Sequence, residues 1–174
     1  MSTSCNLPPT AEPWMRGTHM DVPAPGRAVI HALELSHEDV TRALDDITED
    51  ELHDKPFGIS SLAFHLRHLA GSTDRLLTYA EGQQLTPAQL AELKRESENS
   101  GTVAELSAEF KKAIALAVSR VQLLATQDLE TPRAIGRKQL PTTLGGVMIH
   151  VADHVQRHTG QIVTTAKLLR ALRS

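Results

Sequence analysis

Apolar residues recur along this chain at helical spacing, and the intervals between such stretches carry turn chemistry. Val29, Leu33, Val40, Leu44 and Ile47 form one stripe and predict a helix over about 26–47. Thr48-Glu49-Asp50-Glu51 reads as a capped short turn, and Pro56 with Gly58 interrupts the chain. A second helix starts at Ser60 or Ser61, each a good N-cap. It carries Leu62, Leu66, Leu69, Leu76 and Leu77 to a stop at Gly82. Thr86-Pro87-Ala88 opens a short polar helix running to about Glu96. The third long helix is capped by Thr102 and runs to about Ala125, with Leu106, Phe110, Ile114, Ala117, Val121 and Leu124 on one side. A loop with Pro132, Gly136 and Pro141 precedes a fourth, starting at Thr142 or Thr143 and reaching Leu172.

Four long amphipathic helices without a strand pattern predict an all-α four-helix bundle. An extended, proline-bearing lead covers residues 1–24, and a single domain is expected over 25–174. The long link between the second and third long helices points away from the simplest up-down-up-down wiring. His31 and Leu35, opposite the first stripe, are a candidate homodimer face, while Trp14 and Arg16 are expected to pin the lead to the bundle.

Composition narrows the functional classes. Aromatic residues are only 3% of the chain, so the core must be built from aliphatic side chains, which suits closely packed helices. A net charge of −3 with scattered basic residues offers no footprint for nucleic acid. No apolar run approaches the roughly 20 residues needed to span a bilayer. The N-terminus lacks the basic start and apolar centre of a secretory signal, so a cytoplasmic location is expected. The single cysteine, Cys5, has no intramolecular partner and is read as an incidental surface thiol.

The remaining chemistry is imidazole. His150, His154 and His158 follow one another at intervals of four in HVADHVQRHTGQ, about one helical turn each. Neutral imidazole is the commonest protein metal ligand. All three cannot serve one ion, because His150 and His158 are separated by about 12 Å of helical rise, whereas metal–nitrogen bonds are about 2.0–2.1 Å. The helical wheel favours His154 with His158. A third ligand must come from another helix, and the second offers both His65 and His68. Periodicity leaves that choice open and leans toward His65. Asp74 and Asp153 fall on polar faces and read as solvated carboxylates.

The combination of FHLRHLA on one helix with DHVQRHTGQ on the last resembles the DinB-like superfamily, and EPWMRGTH is similar to the start of some members. These are four-helix-bundle metalloproteins that include YfiT-type hydrolases and bacillithiol- or mycothiol-dependent transferases. The resemblance implies His68, His154 and His158 as ligands of a divalent ion, nickel or zinc. It leaves His65, His150, Arg157 and Gln161 as residues around the site. Many relatives carry an arginine directly after the second ligand of the last helix, where this chain has Thr159, which puts an anchoring role for that arginine in doubt. The implied partner is a small-molecule substrate, with transfer of a low-molecular-weight thiol to an electrophile expected. Metal-dependent hydrolysis and a non-catalytic, stress-related metal-binding role are the alternatives.

Overall fold

The computed structural model describes residues 11–173; Cys5 lies outside them. Three of the four long helices begin where a hydroxyl takes up an otherwise unpaired amide, as the capping residues predict. Ser61 Oγ accepts from the Phe64 amide at 3.2 Å, Thr102 Oγ1 from Glu105 at 3.2 Å and Thr143 Oγ1 from Gly146 at 3.1 Å. These caps start α3 (Leu62–Ala80), α5 (Val103–Leu124) and α6 (Leu144–Leu172). The remaining long helix, α1 (Ala24–Leu44), begins on Pro23 and carries Pro25 in its first turn, where a missing N–H costs nothing. Two short helices, α2 (Glu49–His53) and α4 (Pro87–Arg95), each start with a complete capping box, on Thr48 and Thr86.

In the bundle α1 packs on α5 and α6, and α3 packs on the same two helices. This leaves α1 diagonal to α3 and α5 diagonal to α6. The wiring therefore departs from up-down-up-down, but not where the long crossover suggested. The diagonal steps are made through α2 and through the segment before α6, while the α4 crossover joins the neighbours α3 and α5. The apolar stripes meet in one core. Leu33 and Val40 of α1, Leu66 and Leu69 of α3, Phe110 and Val121 of α5, and Val151, Val155 and Ile162 of α6 are all buried within it.

The loop expected before α6 is in fact a small antiparallel hairpin, β1 (Pro132–Ile135) with β2 (Leu140–Thr143). Its strands are too short and too half-buried to alternate visibly, and a proline sits in each. Gly136 (φ 70°) and Gln139 (φ 51°) make the reversal between them.

The lead is pinned by Arg16, whose guanidinium grips the Glu38 carboxylate with two hydrogen bonds of 2.5 and 2.9 Å. Trp14 does not share this role: it is 63% exposed, its indole N–H donating to Glu12 at 2.8 Å. The lead also covers part of α1. His31 is largely buried beneath it, with Nε2 3.2 Å from Thr18 Oγ1.

Candidate metal centre

The histidines of α3 and α6 face one another across the bundle. His68 on α3 and His154 and His158 on α6 each present a ring nitrogen, and these three atoms all lie within 4.8 Å of one another. Ring centroids are 5.0 Å apart for His68 and His154, 4.5 Å for His68 and His158, and 4.6 Å for His154 and His158. His68 Nε2 stands 3.3 Å from His154 Nε2. Two nitrogens bonded to one ion at about 2.0–2.1 Å, at a tetrahedral angle, sit about 3.3–3.4 Å apart. The spacing of this pair thus suits a shared divalent ion.

His68 Nδ1 lies 2.8 Å from Glu96 Oε2. The other oxygen of Glu96 accepts from Arg75 Nη2 at 2.5 Å, and both Glu96 and Arg75 are buried. Burial by itself works against an ionised Glu96, but the hydrogen bonds from His68 and Arg75 outweigh it and hold the carboxyl below its ordinary range. An ionised carboxylate can only accept, so His68 Nδ1 is the donor in this contact, and Nε2 is the nitrogen that faces His154. Phe64, one turn before His68, stacks on its ring with planes 8° apart. Ser72 Oγ stands 3.5 Å from His154 Nδ1, at the outer limit of a hydrogen bond.

Electrostatics keep these rings in the form a metal needs. Burial, followed by repulsion from His158 and His68, pushes His154 down to about 4. His158 is lowered as well, first by burial and then by His68, with Gln161 pulling weakly the other way. Both are neutral at neutral pH, with lone pairs available for coordination. The Nδ1 of His158 is buried without a protein partner, a polar atom of the kind that a bound ion or water satisfies.

The other anticipated residues divide sharply. His65, which the wheel favoured, is buried with its ring 5.5 Å from that of His158, and it is outside the converging group. Burial and the neighbouring histidines push it down to about 4. His150 is exposed, its ring 5.7 Å from that of His154, which places it on the flank. Arg157 and Gln161 are exposed on α6. Asp153 is exposed as expected, whereas Asp74 is tied down, accepting from Arg120 at 2.7 Å and Gln89 at 2.6 Å. Glu96 was not anticipated. It lies in the polar run RESENS, 28 residues from His68, with no periodicity to mark it. An arginine two turns after His68, on a leucine-rich helix, was the one available hint that an acid had to be nearby.

The fold and this cluster together define a helical-bundle protein with a three-histidine site able to hold a divalent metal ion. The DinB superfamily model matches residues 32–162, from within α1 to beyond the last histidine, and the chain belongs to that superfamily. No curated protein matches the chain. Among the described residues no helix is long and apolar enough to cross a membrane.

Proposed function

We propose that the protein binds one divalent metal ion, Ni²⁺ or Zn²⁺, through His68, His154 and His158, and uses it to transfer a low-molecular-weight thiol to a small electrophile. The observation that carries this reading is the convergence of three imidazoles, with ring nitrogens within 4.8 Å, from two separate helices. When bound, a divalent ion on three such ligands retains its charge and an open position, which favours a thiol sulfur as thiolate. The protein supplies the rest. His154 and His158 offer lone pairs at neutral pH because their surroundings disfavour protonation. Glu96 holds the His68 proton on the nitrogen that faces away from the cluster.

The same carboxylate favours thiol transfer over hydrolysis. Activation of water calls for a base to accept its proton. Glu96 has both oxygens engaged, by His68 and Arg75, while Asp153 points to solvent and Asp74 is held by Arg120. A thiol carried as thiolate needs no such base at the moment of attack. A cleft of about 270 Å³ is lined in part by Ile59, Ser61, Phe64 and Glu96, the last two being neighbours of the His68 ring, while none of the three histidines lines it.

The test is to load the protein with Zn²⁺ or Ni²⁺ and offer bacillithiol, mycothiol, glutathione and cysteine in turn with a chloronitroaromatic electrophile. A thiol adduct formed by the wild type and lost in His154→Ala supports the reading. Turnover that ignores the thiol and consumes water would replace it with hydrolysis. Metal binding without any turnover would leave a non-catalytic metal protein.

A further inference from the structure

The segment joining α3 to α5, residues 81–102 and including α4, lies on the surface. Leu90 and Leu93 of α4 are 41% and 43% exposed, and α4 has no buried residue. One residue of this whole segment is buried, and it is Glu96. A segment that needed only an anchor would bury one of its leucines, since taking a carboxylate out of water is costly before compensation. Here the carboxylate is inside and the leucines are outside. Its two oxygens have separate partners, His68 Nδ1 at 2.8 Å and Arg75 Nη2 at 2.5 Å.

We propose that Glu96 is a positioning residue for the metal centre: it fixes the proton of His68 on Nδ1 and so aims the Nε2 lone pair at the point shared with His154 and His158. Without a partner, neutral imidazole places its proton on either nitrogen, and a proton on Nε2 would block that direction. The carboxylate also raises the electron density of the ring that it supports, which strengthens a metal–nitrogen bond. Arg75 completes the arrangement by holding the second oxygen of Glu96 at 2.5 Å and so orienting the carboxylate. Space for that pair is left by Gly71, one turn after Arg67 on the same helix. A Cβ there would stand 2.7 Å from Arg75 Nη1 and 3.1 Å from Glu96 Oε1.

The competing account is that Glu96 merely fastens the crossover to Arg75. The two differ at the His68 ring. With ¹⁵N-labelled histidine and no metal, at pH 8.5, two-bond ¹H–¹⁵N correlation should find His68 protonated on Nδ1 in the wild type. In Glu96→Ala it should be a mixture in which the Nε2-protonated form gains population. The consequence for metal rests on the ligand assignment proposed above: Zn²⁺ affinity should fall about 10–100-fold in Glu96→Ala, and by a smaller factor in the near-isosteric Glu96→Gln. Glu96→Gln serves as the informative variant if Glu96→Ala fails to fold. Wild-type protein that binds neither Zn²⁺ nor Ni²⁺ would remove the metal reading, and the tautomer measurement would still decide the role of Glu96. A wild-type His68 already protonated on Nε2 overturns the proposal. So does a set of variants whose melting temperatures drop while the tautomer and the Zn²⁺ affinity stay within twofold of wild type.

Discussion

Ser36 Oγ on α1 and Thr159 Oγ1 on α6 lie 2.6 Å apart, both buried, one residue beyond His158. Thr159 also donates to the Val155 carbonyl at 2.8 Å. This hydroxyl pair ties α1 to the helix that carries two of the three converging histidines. Position 159 is thus interior, whereas Arg157 lies on the exposed face of the same helix.

The Ser36–Thr159 contact should therefore appear as coupled stability. Thr159→Val keeps the shape but strips the buried Ser36 hydroxyl of its partner, at about 1–3 kcal/mol. Ser36→Ala leaves Thr159 still bonded to Val155 and should cost about 1 kcal/mol. Replacing both should cost less than the two losses added together, with a coupling of about 0.5–1 kcal/mol. Urea unfolding of the four proteins measures it, and strict additivity would show that the contact does not form.

Gly26→Ala should destabilise the protein even though it removes a glycine from a helix. The gain in helix propensity is at most about 1 kcal/mol. A Cβ at Gly26 would stand 2.2 Å from Ala125 Cβ and 3.4 Å from Ala125 Cα, so α1 would have to move off the end of α5. Overpacking of this kind costs about 1–3 kcal/mol and should win. Gly160→Ala, with open space around its position, should be neutral or mildly stabilising in the same melting experiment.

The metal-free protein should lose stability in mild acid. His65 and His154 are pushed down to about 4 in the fold, and His158 is lowered too, while the unfolded chain titrates near the ordinary histidine value of 6.5. Between these values the unfolded state binds more protons, so stability rises with pH across this window. It is therefore fully present above about 6.5 and is lost progressively as pH falls toward 4. The buried His65 should contribute on the order of 2 kcal/mol and the half-buried rings less. Denaturant titrations at pH 7.5, 5.5 and 4.5 should show the decline, shallower in His65→Leu.

Metal should bind to the converging set and to no other histidine. Stoichiometric Zn²⁺ or Ni²⁺ uptake should be abolished or weakened by at least tenfold in His68→Ala, His154→Ala and His158→Ala, and kept in His150→Ala. Free ion at a hundred times the dissociation constant should add about 2.7 kcal/mol of stability. A chelator should reverse that gain without unfolding the bundle, whose aliphatic core carries no metal ligand. Retention of full affinity in His154→Ala, read by isothermal titration calorimetry, would exclude this ligand set.

Most of the helical framework was legible because it is written locally. Hydroxyl caps at Ser61, Thr86, Thr102 and Thr143 and aliphatic residues at three- and four-residue intervals specify where helices start and which face turns inward, with no reference to the rest of the chain. The hairpin before α6 escaped because four-residue strands show no alternation. The pairing of diagonal and adjacent helices escaped because it depends on how stripes from distant segments fit together.

The spacing of His154 and His158 is a property of one helix, and one turn of backbone brings both rings to the same side whatever surrounds them; that much the order of residues determined alone. Whether His65 or His68 completes the group depends on how α3 is rotated against α6, a quantity settled by the packing of both helices. Only tertiary structure decided it, and the rotation turns the His68 nitrogen to within 3.3 Å of His154. Glu96 belongs to the same category. Its burial and its bond to His68 arise because a surface crossover folds back over α3, and a carboxylate 28 residues away acquires meaning only when the chain has closed that distance.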